Sequence, residues 1–311
     1  MSQNSDVLKA ITDNIEKVIV GKRSAIELSI ITLISGGHLL IEDVPGVGKT
    51  SLVSALAKSI NASFKRLQFT PDVLPSDIIG FTIYNRKTEE FEYIKGAVNC
   101  NFLLADEINR TSPKTQSSLL EVMEDGHMSI DGVTHELPKP FMVMATQNPI
   151  EYLGTYPLPE AQLDRFLMKI SIGYPSQQNE VDILIKQKQN NPMNSLKAVA
   201  SISDIINIQR EVREVFIEST LLSYIVRISN LTRNNKDIVL GVSPRGSLAM
   251  SRAAQAKAYY NGRNFVIPED IKEISIPVLS HRIMLSQEAR IKKTNASDII
   301  KQIVNDTSIG M

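Results

Sequence analysis

The 311-residue sequence predicts an α/β protein: a mostly parallel sheet flanked by helices, followed by a smaller helical unit. Three observations predict it. Segments that read as short buried strands recur at 38–42, 64–69, 102–106, 141–147 and 166–172. Helical periodicity fills the intervals, as in Leu52, Val53, Leu56, Ala57 and Ile60, and again over 115–123. After Gly173-Tyr174-Pro175 the strand-like runs stop, and 177–279 reads as helices only, punctuated by Pro192, Pro244 and Pro268. Strands alternating with helices imply parallel pairing, because a parallel crossover needs a connection of helix length.

Taken in order, Val7, Leu8, Ile11, Ile15, Val18 and Ile19 share one helical face, giving an amphipathic helix that ends at Gly21. A second helix over 24–34 stops at Gly36-Gly37. A short buried strand at 38–42 leads into a glycine-bearing turn and a third helix. Two insertions interrupt the alternation. Asp131-Gly132 between 128–130 and 133–137 is a strong hairpin signal, and 81–84 with 91–94 around 85–90 forms a second candidate. The domain boundary is placed near 174–176: a larger unit over 1–175 carries the hairpins at about 80–96 and 128–137, and 176–311 is a helical unit with a C-terminal tail. The tail after His281-Arg282 is too short for a further domain.

Composition narrows the class. Lys plus Arg and Asp plus Glu are both 34, and this zero formal charge offers no general attraction to nucleic acid or an anionic membrane. The apolar runs 28–34 and 39–41 are split by Gly36-Gly37-His38, far short of the ~20 residues that span a bilayer. Residues 1–6 are polar and lack the regions of a signal peptide, so a cytoplasmic protein is expected. Cys100 is the one cysteine, which excludes an intrachain disulfide and a thiolate metal cluster.

The chemistry concentrates in a few segments. Asp43-Val44-Pro45-Gly46-Val47-Gly48-Lys49-Thr50 lies between a strand and a helix, the setting of a phosphate-binding loop. Gly46 and Gly48 let backbone N–H groups turn inward as an anion nest, and the following helix, with Ser51 in its first turn, adds its positive end. Lys49 is suited to the β/γ-phosphates and the Thr50 hydroxyl to Mg²⁺. One departure is that Asp43 stands where the pattern ordinarily has glycine. The strand 101–105 ends in Asp106-Glu107, an acid suited to Mg²⁺ followed by one suited to polarising water. Alone, such a pair is more often the start of a solvated loop; downstream of a phosphate loop it becomes specific. Asn148, at the next strand end, suits holding the attacking water, although Asn-Pro is equally a turn initiator. Arg165 precedes the last strand and Arg245 opens a helix beyond it; arginines at such places are usually surface residues.

Together, DVPGVGKT, QFTPDVLPSDIIG, LLADEINR, ATQNPIEYLGTYPLPEAQLDRF and GVSPRG make the chain resemble the MoxR family of AAA+ ATPases over nearly its whole length. The resemblance implies an ATP- and Mg²⁺-binding core with sheet order 5-1-4-3-2, an all-α lid and a ring, usually a hexamer. It makes Lys49 and Thr50 the Walker A residues, Asp106 and Glu107 the Walker B pair, and Asn148 sensor 1. Arg165 corresponds to an arginine finger given to the neighbouring subunit, with Arg110 a second interface candidate. Arg245 corresponds to sensor 2, in cis or in trans. Val20-Gly21-Lys22 is placed like the adenine-contacting segment. The hairpins correspond to insertions facing the ring centre, where Phe81, Tyr84, Phe91, Tyr93 and Met128 either grip polypeptide or pack on the core.

The function so implied is ATP hydrolysis coupled to remodelling, maturation or activation of a partner complex, with a von Willebrand A-type protein as partner. Three other readings stand beside it. A nucleotide-dependent switch with little turnover would not need Glu107, Asn148 and Arg165. A DNA-acting motor fits poorly with hairpins of mixed sign, in which Arg86 and Lys87 lie beside Glu89, Glu90 and Glu92. A small-molecule kinase would need no arginine placed for a neighbour. No nucleic-acid partner is expected.

Overall fold

The computed structural model describes residues 2–148, 154–189 and 192–309; residues 149–153 of the ATQNPIEYLGTYPLPEAQLDRF segment lie outside these. The chain opens with α1 (Ser2–Glu16) and α2 (Arg23–Ile34), then β1 (Leu39–Glu42), α3 (Lys49–Ser59) and β2 (Phe64–Gln68). A short α4 (Pro75–Ile79) leads into the hairpin β3 (Gly80–Asn85) and β4 (Glu90–Lys95). Next come β5 (Phe102–Asp106), a 3₁₀ turn at Ile108–Arg110, α5 (Pro113–Asp125) and the second hairpin, β6 (His127–Ile130) with β7 (Val133–Glu136). The core closes with β8 (Met142–Gln147), α6 (Glu160–Leu163) and β9 (Met168–Ile170).

The five core strands are all parallel and lie in the order β2-β5-β8-β1-β9. Numbered as first to fifth along the chain, this is the expected 5-1-4-3-2. Side chains alternate between its faces. Leu39, Ile41, Phe102, Leu104, Met142 and Met144 pack toward α1, α2 and α3, whereas Leu40, Leu103, Ala105, Val143 and Ala145 pack toward α5 and the hairpins. The last strand is shorter than its apolar run because its flanks are taken by other bonds. The Phe166 amide closes a turn onto Leu163, and the Ile172 and Gly173 amides bind the Asp43 carboxylate. The first helix stops at Glu16 rather than Gly21, because the Val18 and Ile19 amides converge on the single Ile15 carbonyl and tighten its last turn.

Beyond β9 the chain forms α7 (Gln177–Gln189), α8 (Pro192–Ser195), α9 (Ile202–Arg213), α10 (Ser219–Arg233), β10 (Ile238–Leu240), α11 (Pro244–Tyr260), α12 (Pro268–Leu279), β11 (Met284–Leu285), α13 (Gln287–Ile291) and α14 (Ala296–Asp306). One expectation is corrected here: this half is not purely helical, since β10 and β11 pair antiparallel. Near the C-terminus, α14 buries Ile299, Ile300, Ile303 and Val304, and the Val304 carbonyl accepts from the Tyr224 hydroxyl. A single apolar core runs from α1 and α2 through one face of the sheet into α9, α10, α11, α12 and α14. Polar ties reinforce it, between Thr12 and Tyr260 at 2.9 Å and from Gln209 to the Leu33 carbonyl at 2.7 Å.

The hairpin side chains divide into packed and exposed. Tyr93 and Met128 pack: the Tyr93 hydroxyl donates to the Ile79 carbonyl at 2.5 Å, its ring stacks on His135 of the other hairpin, and Met128 is buried. Phe81, Tyr84 and Phe91 stand exposed, the last two in edge contact with each other.

Candidate functional site

The turn after β1 is built by two glycines at positive φ, Gly46 at 85° and Gly48 at 95°, a region that side chains with a Cβ rarely enter. Gly48 is also the N-cap of α3 and brings no capping side chain, so the first N–H groups of the helix face the loop. Lys49 folds back across the loop and donates to the Asp43 carbonyl at 2.7 Å. Burial lowers the pKa of its ammonium, opposed by the charges of Asp106, Asp43 and Glu107.

Asp43, the departure from the glycine pattern, anchors the base of this loop. Its Oδ2 accepts from the Ile172 and Gly173 amides, both at 2.6 Å, and from the Ser171 hydroxyl, while Oδ1 accepts from the Val44 amide. Burial opposes ionisation, yet these bonds outweigh it and hold the carboxyl below its ordinary range. Beside the loop lies a cavity of about 490 Å³, lined by Val20, Gly46, Val47, Gly48, Thr50 and Ser51 and closed by Ile183 and Met193 from the second half of the chain. That volume is within the range of small-ligand sites. Lys22 reaches the same cavity, whereas Gly21 does not: it packs at φ 70° against the Asn179 side chain of α7. Val44 and Pro45 precede the cavity lining and shape the turn.

At the end of β5 the two acids are held differently. Asp106 bonds Arg66 through Oδ2 at 2.6 Å and the Thr146 hydroxyl through Oδ1 at 2.6 Å. Thr146 also accepts the Glu107 amide at 2.8 Å, which fixes the two acids to β8. Glu107 itself sits at φ 56°, in the left-handed region, a conformation that costs free energy and is found at functional sites. Its Oε2 accepts from Gln68 at 2.7 Å and pairs with Arg110 at 3.2 Å. Asn148, buried, follows the end of β8, between the Asp106 strand and the phosphate loop.

Arg165 and Arg245 lie elsewhere. Both meet the carboxylate of Glu124, in the last turn of α5, in a groove also lined by Gly37 and His38, which precede β1. The phosphate loop follows β1. His38 and Asp43 are five positions apart, roughly 17 Å of extended chain, so the groove that holds the arginines lies at the opposite ends of the strands from the loop. His38 secures this end: one ring nitrogen donates to the Met123 carbonyl at 2.9 Å, the other accepts the Val143 amide at 3.0 Å, and burial lowers its pKa to about 4.

The sequence signature of the ATPase family associated with various cellular activities (AAA) matches residues 38–168, and that of the AAA lid domain matches residues 230–303. The chain is 42% identical over 304 residues to Chaperone MoxR1 of Mycobacterium tuberculosis, covering 95% of this chain and 80% of that protein. It belongs to the MoxR family of AAA+ ATPases. Two further proteins are similar over nearly the whole chain. The uncharacterized protein YeaC of Bacillus subtilis is 53% identical, with 96% of this chain and 93% of that one covered. A crystal structure from Cytophaga hutchinsonii, provisionally named an ATPase, matches with a TM-score of 0.92 at 40% identity, covering 99% of this chain and 96% of that one.

In this MoxR-family site the motif residues were visible in the sequence and their partners were not. Arg66 and Gln68 reach Asp106 and Glu107 from the neighbouring strand. The signal available was their spacing of two within the strand Phe64–Gln68, which puts both on one face. Nothing in the sequence signals the pairing of Glu124 with two arginines more than forty residues away.

Proposed function

We propose that the chain binds ATP with Mg²⁺ and hydrolyses it to ADP and phosphate, using the cycle to remodel or activate a partner protein complex. The observation that carries this is the cavity lined by Gly46, Gly48, Thr50 and Ser51 at the open N-terminus of α3, with Lys49 in the same loop under the charges of Asp106 and Glu107. Mg²⁺ fits the residues present. The Thr50 hydroxyl lines the cavity, and Asp106, with both oxygens already engaged, suits the water shell of the ion better than direct ligation. Bound there, the ion supplies charge neutralisation to the phosphate oxygens.

Lys49 and the α3 amides hold the phosphates, and Asn148 and Glu107 orient the attacking water. As the water oxygen bonds the γ-phosphorus, its bond to the β–γ bridging oxygen breaks and Glu107 takes the proton. Arg165 and Arg245, held at the strand ends opposite their own loop, neutralise the γ-phosphate of a neighbouring copy in a ring, so both act in trans. Residues 1–175 form the nucleotide-binding core and 176–311 the lid in this reading. The partner is a von Willebrand A-type protein, the ring a hexamer and the setting cytoplasmic. Family resemblance supports the partner and the ring; no helix among the described residues is long and apolar enough to cross a membrane.

Fluorescent-nucleotide titration tests the site. Lys49→Ala removes the point charge on the phosphates and should lose ATP binding, whereas Glu107→Gln should bind normally and stop turnover. Equal loss of affinity in both variants would overturn the assignment. A second reading, a nucleotide-dependent switch with little turnover, is favoured by one observation: Glu107 is turned onto Gln68 and Arg110. Turnover by wild type that stays negligible even after ring assembly would select it.

A further inference from the structure

Glu124 stands between the two arginines proposed to serve a neighbouring copy. Its Oε2 lies 3.0 Å from Nη2 of Arg165, and its Oε1 contacts Nη2 of Arg245. The arginines come from different parts of the chain, the segment after α6 and the first turn of α11, and neither has another carboxylate partner among the described residues. The position is a poor one for an acid. A carboxylate in the last turn of a helix faces the negative end of the helix dipole, so Glu124 depends on the guanidiniums for its stabilisation. Arg252, two turns along α11, and Arg282 line the same groove of about 430 Å³. Asp164 neutralises Arg282 at 2.7 Å, which leaves three guanidiniums facing one carboxylate. The bridge is open to water: the side chains of Arg165, Glu124 and Arg245 are 29%, 38% and 47% exposed.

We infer that Glu124 is an anionic placeholder. In the free chain it holds Arg165 and Arg245 together, and the phosphate oxygens of a nucleotide bound by a neighbouring copy displace it on assembly. The inference rests on the trans reading of the two arginines. A carboxylate offers one oxygen to each guanidinium, as two oxygens of a phosphate would. Without it, two like charges converge on one point. Because carboxylate and phosphate compete for the same donors, assembly has to break the bridge, and its strength sets the protein concentration at which rings form. An amide in its place is a weaker competitor.

The test is sedimentation velocity in a Glu107→Gln background, across a protein concentration series with saturating Mg²⁺-ATP. Adding Glu124→Gln should lower the half-assembly concentration about threefold or more, the scale of an exposed charge pair. Glu121→Gln, the same charge change one turn earlier on α5 and away from the arginines, should leave it unchanged. Arg165→Ala and Arg245→Ala should each raise it. If both arginine variants weaken assembly but Glu124→Gln leaves it unchanged or raises it, the placeholder is overturned and the trans reading stands. If the parent does not assemble with ATP, or the arginine variants assemble as well as the parent, the trans reading itself has failed, and the placeholder with it.

Discussion

Asp43 accepts four hydrogen bonds where the phosphate-loop pattern ordinarily has a glycine, and three of them come from the chain just after β9. The residue therefore fixes the loop to the edge of the sheet rather than contacting ligand through its carboxylate. Asp43→Ala leaves buried amides without an acceptor, and should cost about 3 kcal/mol in urea unfolding together with weaker nucleotide binding. The carboxyl is held below its ordinary value of 3.8, so its contribution is complete above that value and fades as pH falls through the lower folded value. The stability gap between wild type and Asp43→Asn should thus be full near about pH 6 and narrow below about pH 4. A gap independent of pH would show that the carboxylate charge is not what anchors the loop. At this scale the sequence announced the residues whose job is set by local spacing, such as Lys49 and Thr50. It hid those whose job is set by a tertiary partner, such as Arg66, Gln68 and Glu124.

The hairpins make the same point for elements. Asp131-Gly132 and the alternation on either side placed β6 and β7 closely, because a two-residue turn and a period of two are local properties. Strands as short as β10 and β11 carry too few residues for any period, and they pair only because the folded chain brings them together. Exposure, too, is tertiary: the sequence offered five apolar side chains for gripping polypeptide, and folding leaves Phe81, Tyr84 and Phe91 outward while Tyr93 and Met128 brace the hairpins. Phe91→Ser should therefore cost less than about 0.5 kcal/mol of stability, the scale of a surface substitution, and leave the basal ATPase rate unchanged. Stimulation of that rate by an unfolded polypeptide such as reduced casein should fall. Full stimulation of the variant would remove this hairpin from substrate contact.

For the whole molecule, the decisive geometry is that the phosphate loop and the two arginines occupy opposite ends of one parallel sheet. In the proposed reading a catalytic centre takes residues from two copies, which complementation tests. Arg165→Ala should bind ATP yet hydrolyse it 10³-fold or more slowly, about 4 kcal/mol of lost transition-state stabilisation. Once co-assembly with Lys49→Ala has been demonstrated, the mixture should recover activity, because one variant lends a good arginine to the other's good loop. A co-assembled mixture as inactive as both parents would make Arg110 the next candidate. The two-part architecture was legible from the succession of strand-like segments and the sheet order only through the family resemblance; the separation of loop and arginines was not, since it depends on which strand end each one occupies.

The apolar core that joins α1 and α2 to the lid helices has a mechanical consequence. A chain whose halves share one continuous interior resists bending along the line where its sequence changes character. In a ring of such bodies, each link is stiff and compliance resides in the joints. Work on a captured polypeptide would then be the sum of small rotations from joint to joint around the circle, as in a watch bracelet, rather than the closing of a jaw within any one link.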